Sequence, residues 1–191
     1  MDNSQQKTIL EYQSQLLVWN KTHNLVSKSQ IKLIPEHIED SLLIGKTLKD
    51  FIVDLGSGGG LPGIPLAIRY PNKHFCLVES NTKKSSFLLN TTSRLNLENT
   101  TVLNKRIEDI GQEDLPEEYD IVCRAVGATD LIISFTKKHL QLPGVSLKLM
   151  KTSQQFDNEE IPAGYRVKEI EKFDLKAKDK TRILVTIEAE R

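Results

Sequence analysis

Cysteine is scarce in this sequence of 191 residues, with only Cys76 and Cys123 present and no pair at the spacing C-x-x-C. Two distant cysteines argue against a structural zinc site and against the disulfide framework of a small secreted protein. The four histidines are equally scattered, and none pairs with another at the spacing of metal ligands on one helix. We therefore expect reduced thiols and no metal site.

An excess of charge of either sign is also missing, because 26 Lys and Arg residues balance 26 Asp and Glu residues. This balance neither requires nor excludes a polyanionic partner, so any basic surface must be local. No apolar run approaches the roughly 18 residues of a membrane span. The first residues, MDNSQQKTILEYQ, lack the basic start and apolar stretch of a signal peptide. We expect one soluble, cytoplasmic domain that is monomeric and binds no membrane.

Apolar periodicity divides this single domain into an N-terminal helical cap, residues 1–48, and an α/β core, residues 49–191. In the cap, apolar residues recur at three- and four-residue steps over 5–20, as one buried face of a helix requires. A second helix is predicted over 31–48, and its regular part should start at Pro35.

The core alternates short apolar strands with helices, which predicts a parallel sheet covered on both faces. The last two apolar segments are joined by a polar turn too short for a crossover helix, so they should pair antiparallel. A mostly parallel, seven-stranded α/β sheet closed by a C-terminal antiparallel hairpin is the arrangement typical of Rossmann-like methyltransferases. The predicted strands are 51–55, 74–80, 100–104, 119–126, 145–151, 165–175 and 181–189, with helices after the first strand and over 81–97 and 130–140.

A glycine-rich turn follows the first strand in the stretch FIVDLGSGGGLPGIPLAI, residues 51–68. Asp54 precedes glycines at 56, 58 and 60, which allow positive φ angles and let a ligand approach the backbone. The following helix offers unpaired N–H groups to a carboxylate or a phosphate. No Gly-Lys-Ser or Gly-Lys-Thr follows, so the turn is not a Walker A loop. Gly58, Gly60 and Gly63 also match G-x-G-x-x-G, which keeps a dinucleotide-binding turn open.

Glu79 ends the second predicted strand, where an acidic residue in this topology accepts hydrogen bonds from ribose hydroxyls. Both NAD and S-adenosylmethionine carry such a ribose. NAD needs its pyrophosphate on the helix N-terminus, whereas S-adenosylmethionine places its amino-acid end there and gains from an acid such as Asp54. Together with the terminal hairpin, this favours S-adenosylmethionine as the cofactor, and an ordinary strand-to-helix turn is the alternative without a ligand.

Five segments, in this order and at these separations, resemble the bacterial 16S ribosomal RNA (guanine-N7) methyltransferase G family, also called glucose-inhibited division protein B. They are WNKTHNL (19–25), EHIEDS (36–41), DLGSGGGLPGIPLAI (54–68), RIED (106–109) and CRAV (123–126). The similarity covers nearly the whole chain. It implies a class I methyltransferase that transfers a methyl group from S-adenosylmethionine to N7 of one guanine in 16S ribosomal RNA of the small ribosomal subunit.

The resemblance and the turn chemistry together predict the residues of the site. Glu79 is expected to hold the ribose, Ile107 with Glu108 to meet the adenine, and Arg124 to close the site. The full set of predicted cofactor-binding residues is Asp54, Gly56, Gly58, Leu61, Glu79, Ile107, Glu108 and Arg124. The predicted RNA-binding residues are Arg124, Lys151, His37 and Asn24.

Basic residues at predicted strand ends are a further hypothesis for phosphate binding, as a local positive rim made by Lys83, Lys84, Arg106, Arg124 and Lys151. Two positions depart from the family pattern. Glu36 stands where members often carry arginine, which weakens phosphate binding there. Thr152 follows Lys151 where members commonly carry glycine.

Guanine N7 presents an in-plane lone pair, so its methylation requires no general base, and we predict no catalytic dyad. Positioning of the nucleophile and exclusion of water should dominate. Cys123 is interpreted as a small buried residue rather than a nucleophile. Two other functions stay open: an NAD-dependent oxidoreductase, which would have a sixth parallel strand in place of the hairpin, and a non-enzymatic ribosome-binding protein.

Overall fold

The computed structural model describes residues 1–124, 127–174 and 181–191. The strands are β1 (Phe51–Leu55), β2 (His74–Val78), β3 (Thr100–Leu103), β4 (Tyr119–Arg124), β5 (Val145–Thr152), β6 (Tyr165–Asp174) and β7 (Thr181–Ala189). They form one sheet in the order β3-β2-β1-β4-β5-β7-β6. Strands β1 to β5 are parallel, whereas β7 runs antiparallel to both β5 and β6. The predicted fold class, with its C-terminal hairpin, is confirmed.

The α-helices are α1 (Asn3–His23), α2 (Ile34–Leu43), α3 (Gly63–Arg69), α4 (Thr82–Arg94), α5 (Thr129–Leu140) and α6 (Ser153–Phe156). Helix α1 is longer than the predicted 5–20 because polar residues at its ends extend it. Asp2 and Gln5 form a capping box at the start, and Asn24 takes a left-handed conformation at the end. The short helix α6 was not expected from the sequence.

The second helix of the cap is shorter than the predicted 31–48. Residues Lys28–Leu33 form a 3₁₀ helix, and α2 follows with Pro35 in its first turn. Ile44 and Leu48 continued the apolar pattern, but they are buried in the turn beyond α2. Burial alone therefore explains their apolar character, without a helical conformation.

Several strands end slightly earlier than predicted, which places polar residues at the strand ends. Strand β2 stops at Val78, so Glu79 is the first residue beyond it. Residues 125 and 126 of the predicted 119–126 strand, and residue 175 of the predicted 165–175 strand, lie outside the described residues. Asn81 caps α4 by accepting from the N–H groups of Lys83 and Lys84 at 3.0 and 3.2 Å.

Both faces of the sheet are covered by helices, since successive strand residues point to opposite sides. On one face, Ile52 packs in a hydrophobic cluster with Tyr12 and Leu16 of α1. On the other face, Val53 packs in a second cluster with Ile132 of α5. The carboxyl ends of the parallel strands are left as the edge at which a ligand site can form.

Candidate active site

A cleft of about 720 Å³ opens at the carboxyl edge of the sheet. Its walls come from the turn after β1, the ends of β4 and β5, the first residues of β7, and α2 with the segment before it. A cleft of this size at the switch point of a parallel sheet is typical of a cofactor site. Its lining includes His37, Asp40, Gly56, Gly58, Leu61, Lys84, Cys123, Arg124, Lys151, Glu159 and Arg182.

The glycine turn adopts the conformation that its sequence predicts. Gly56, Gly58 and Gly60 have φ angles of 69°, 53° and 86°, in the left-handed region that favours glycine. The N–H groups of Gly56 and Ser57 donate to the carbonyl of Val78, at 2.9 and 3.1 Å. These bonds anchor the turn to the end of β2 and leave its backbone on the wall of the cleft.

The cap supports the same turn from the other side. Tyr12 of α1 is fully buried, and its hydroxyl donates to the carbonyl of Gly59 at 2.6 Å. Burial raises the pKa of Tyr12, so the group remains a neutral donor. Tyr12 was not among the predicted site residues, because its place in the apolar stripe of α1 indicated only a core position.

Asp54 lies beneath the turn and is 1% exposed. Its Oδ2 accepts from the N–H of Gly63 at 3.1 Å, which fixes the start of α3. A Cβ at position 63 would collide with Asp54 and Leu77, so glycine is required by this close approach. Within the described ranges, Oδ1 of Asp54 has no hydrogen-bond partner. Burial raises the pKa of Asp54 to about 7, although the bond from Gly63 opposes this shift.

Glu79 lies next to the turn and is 7% exposed. Its Oε2 accepts from the N–H of Gly58 at 3.0 Å, and its Oε1 accepts from the N–H of Asn81 at 2.8 Å. Its backbone carbonyl accepts from Asn104 at 2.8 Å. The two predicted ligand elements, the turn and Glu79, are therefore joined directly, and each carboxylate oxygen retains further acceptor capacity.

Five of the predicted residues lie outside the lining of the cleft: Asp54 and Glu79, which adjoin the glycine turn, and Ile107, Glu108 and Asn24. Ile107 and Glu108 belong to a 3₁₀ helix beyond β3, where Ile107 is buried and Glu108 is exposed. Asn24 is exposed at the end of α1, and its neighbours Leu25 and Val26 line the cleft instead. The structure therefore does not place Ile107, Glu108 or Asn24 in the cleft wall.

His37 and Arg124 meet in the cleft, as a direct link between the cap and β4. The Nη1 and Nη2 atoms of Arg124 donate to the carbonyl and the Nδ1 of His37, at 3.2 and 2.6 Å. The Nε2 of His37 faces the Oε1 of Gln30 at 2.7 Å, so Nε2 carries the proton. Burial, together with the charge of Arg124, lowers the pKa of His37 to about 4. His37 is therefore neutral near pH 7.

Asp40 of α2 forms an ion pair with Arg182 of β7. Its Oδ2 accepts from Nε and Nη2 of Arg182, at 3.0 and 2.8 Å, and lies 4.0 Å from Nη2 of Arg124. Asp40 is 2% exposed. Arg182 and Asp40 were not predicted as site residues: Asp40 lies within the EHIEDS segment, but no local pattern relates it to a residue 142 positions away.

Lys151 forms a separate ion pair at the end of β5. Its Nζ lies 2.6 Å from both carboxylate oxygens of Glu159, and Thr129 also donates to this carboxylate. Although burial opposes the shift, these donors hold the pKa of Glu159 below its usual range. Glu159 is a further residue that sequence reasoning missed. The charge of Lys151 is largely balanced by this partner.

The predicted basic rim is only partly assembled in the cleft. Lys84, Arg124 and Lys151 line it, whereas Lys83 and Arg106 are exposed outside the lining. Cys123 also lines the cleft but is 2% exposed, and burial suits a packing role.

No group of three or more potential ligands could hold a metal ion within the ranges described above. Over the same ranges, no helix has the length and apolar character needed to cross a bilayer.

Comparisons with known proteins agree with this geometry. A family model described as rRNA small subunit methyltransferase G matches residues 5–185. Relatives named Ribosomal RNA small subunit methyltransferase G include one from Syntrophomonas wolfei, 35% identical over 94% of this chain and 88% of the relative. Another, from Hydrogenovibrio crunogenus, is 32% identical over 94% of this chain and 83% of the relative.

Solved structures share the fold at low sequence identity. Magnesium protoporphyrin IX methyltransferase from Synechocystis, with bound SAM, is 14% identical with a TM-score of 0.53, covering 83% of this chain and 79% of that one. M. jannaschii TYW2 in complex with AdoMet is 15% identical with a TM-score of 0.52, covering 81% and 76%. The fold is therefore that of Rossmann-like methyltransferases. Because the family model spans nearly the whole sequence, the chain belongs to the rRNA small subunit methyltransferase G family.

Proposed function

We propose that this protein transfers the methyl group of S-adenosylmethionine to N7 of a guanine in 16S ribosomal RNA. The observation that carries the cofactor assignment is the bond between Glu79 and the N–H of Gly58, beside the buried Asp54. Family membership supports the substrate. We further propose that residues 1–48 and 49–191 act as one domain in the cytoplasm, since residues of both parts pack in one hydrophobic cluster.

The residues present fit S-adenosylmethionine. In the turn from Gly56 to Leu61, the glycines have no side chains that would keep a ligand away from the backbone. The volume of the cleft lies in the range of small-molecule sites. Glu79 has acceptor capacity left for two ribose hydroxyls. Asp54 supplies a carboxylate near the expected position of the ammonium group. Beyond β3, Ile107 and Glu108 are proposed to flank the adenine.

An NAD-dependent oxidoreductase fits the same residues less well. Asp54 and Glu79 are two buried carboxylates beside the turn, where a pyrophosphate would need positive potential. The sheet also has five parallel strands followed by an antiparallel hairpin, in place of a sixth parallel strand. Both features disfavour a dinucleotide.

The proposed chemistry depends on position. When bound, the cofactor supplies an electrophilic methyl group on its sulfonium sulfur, and guanine N7 supplies the lone pair. The chain must hold the base in line and exclude water. Arg124 is fixed for this purpose by its two bonds to His37. His37 itself is not arranged as a base, because its Nδ1 already accepts from Arg124.

Binding of the RNA is proposed to use the cap side of the cleft. Arg124, Lys151 and His37 line the cleft, and Asn24 is exposed at the end of α1, next to the lining residues Leu25 and Val26. Arg124 is the stronger candidate for an RNA contact, because Lys151 is paired with Glu159. The monomeric state expected from the sequence stays a prediction that sedimentation equilibrium can measure.

The test combines cofactor binding with methyl transfer. Calorimetry should show binding of S-adenosylmethionine and no binding of NAD, and tritiated methyl should pass to small subunits purified without the modification. Mass spectrometry of nuclease fragments then maps the modified nucleotide. The matched variant is Glu79→Gln, which keeps the side-chain shape but lowers acceptor capacity, and we expect weaker cofactor binding. Cofactor binding without methyl transfer would reject the substrate assignment, and binding of subunits without cofactor would favour a non-enzymatic ribosome-binding protein.

A further inference from the structure

The side chains that line the cleft carry more positive than negative charge. Among the described residues that line it, four cations face two carboxylates: Lys84, Arg124, Lys151 and Arg182 against Asp40 and Glu159. Lys151 is paired with Glu159 at 2.6 Å, so these two charges largely cancel. Of the two positive charges that remain in excess, one is Lys84, and the other lies where Arg124 and Arg182 share Asp40.

One carboxylate oxygen serves both guanidinium groups. Oδ2 of Asp40 contacts Arg182 at 2.8 Å and lies 4.0 Å from Arg124, while Oδ1 is buried with no hydrogen-bond partner within the described ranges. His37, the other partner of Arg124, is neutral near pH 7 and adds no charge to the group. The group of two arginines, one aspartate and one histidine therefore carries one net positive charge, with Arg124 and Arg182 only 15% and 27% exposed.

The position of the pair separates it from the cofactor half of the site. The sheet order places β3, β2 and β1 on one side, with the glycine turn and Glu79 at their ends. Arg124 ends β4, and Arg182 lies at the start of β7, two strands further along the sheet. The Nε and Nη2 atoms of Arg182 bind Asp40, which leaves Nη1 outside this contact.

We propose that Arg124 and Arg182 together bind one backbone phosphate of the substrate RNA, and that Asp40 positions both guanidinium groups for this contact. The proposal rests on the methyltransferase function proposed above. Guanidinium groups suit phosphate oxygens because they donate in a planar fork and stay charged when partly buried. A phosphate in the cleft supplies the negative charge that the pair lacks. It also holds the RNA on the half of the sheet next to the cofactor.

The experiment measures binding of unmodified 16S ribosomal RNA, transcribed in vitro, over a series of KCl concentrations. For Arg182→Met we expect the dissociation constant to rise roughly 10- to 100-fold, as for loss of a charge-assisted hydrogen bond. The slope of log K against log[KCl] should fall by about 0.7 for the lost phosphate contact. Affinity for S-adenosylmethionine should stay at the wild-type value. Arg94→Met, which removes an exposed charge at the far end of α4, is the matched control and should leave both affinities unchanged.

Arg182→Lys keeps the charge near Asp40 but not the planar fork, so RNA affinity should fall severalfold with an unchanged salt slope. This variant decides the question if Arg182→Met does not fold. Wild-type RNA affinity in Arg182→Lys, or an unchanged salt slope in a folded Arg182→Met, overturns the proposal. Loss of cofactor affinity with intact RNA affinity also overturns it, because the bound anion is then the cofactor carboxylate. If the wild-type protein binds RNA but transfers no methyl group, the proposed function fails, while the binding data still decide the role of Arg182.

Discussion

Replacement of Asp54 by asparagine should change how the free energy of unfolding depends on pH. Asp54 is buried beneath the glycine turn, and burial raises its pKa from 3.8 to about 7. Between these two pH values the folded state holds a proton that the unfolded state has lost. The free energy of unfolding therefore falls as pH rises through this window, and the stabilising effect of the neutral group is lost above pH 7.

The magnitude follows from the same two values. The difference between 3.8 and about 7 corresponds to roughly 4 kcal/mol of instability in the fully ionised state. Asparagine retains an oxygen that can accept from the N–H of Gly63. However, it places an amide group where Oδ1 has no partner, at a cost of about 1–3 kcal/mol. Above pH 7, Asp54→Asn should therefore exceed the wild type in stability by roughly 1–3 kcal/mol.

Urea denaturation of both proteins over the acidic to neutral range measures this effect. The decisive quantity is the slope of the free energy of unfolding against pH, because a constant effect of the amide group leaves that slope unchanged. The wild type should lose stability relative to Asp54→Asn as pH rises from about 4 to about 7. Asp50→Asn, at an exposed carboxylate, is the control and should follow the wild type. Parallel curves for the wild type and Asp54→Asn would refute the argument. Binding of S-adenosylmethionine should weaken in Asp54→Asn, since the ammonium group loses its anionic neighbour.

Three further predictions concern the turn and the cap. Gly58→Ala should lose about 1 kcal/mol in urea denaturation, because its φ is 53°, and should also lose cofactor affinity in calorimetry. The control is Gly164→Ala, where φ is 86° and no atom lies within 4 Å of an added Cβ; it should lose similar stability and keep its cofactor affinity. Equal cofactor affinity in both variants would contradict a cofactor site at the turn. Tyr12→Phe removes the hydroxyl bonded to Gly59 and should destabilise the fold by about 1–3 kcal/mol, whereas an unchanged urea midpoint would contradict that role. The His37 ring should titrate in NMR spectra with a pKa of about 4, because burial and the charge of Arg124 lower it from 6.5. The free energy of unfolding should therefore fall as pH drops from 6.5 to about 4, and an ordinary pKa near 6.5 would show that the ring is not buried beside Arg124 in solution.

Local chemistry explains the part of the fold that could be predicted from the sequence. Apolar strands separated by helices indicate a parallel sheet, and Asn81 indicates the start of α4 because its side chain bonds residues only two and three positions ahead. The boundary of α2 could not be predicted in this way. Ile44 and Leu48 are apolar because tertiary packing buries them, and the pattern alone does not distinguish that cause from a longer helix.

Local patterns were enough to predict the glycine turn, the acid just beyond β2 and the order of strands and helices, since each depends on neighbours along the chain. The pairing of Lys151 with Glu159, and the meeting of Arg182 and Arg124 at Asp40, could not be predicted because they depend on tertiary packing. Such contacts join residues brought together by the sheet order, and Asp40 and Arg182 are 142 positions apart. The charge that remains in the cleft depends on these pairings, which is why composition, with its balanced total, carries no information about it.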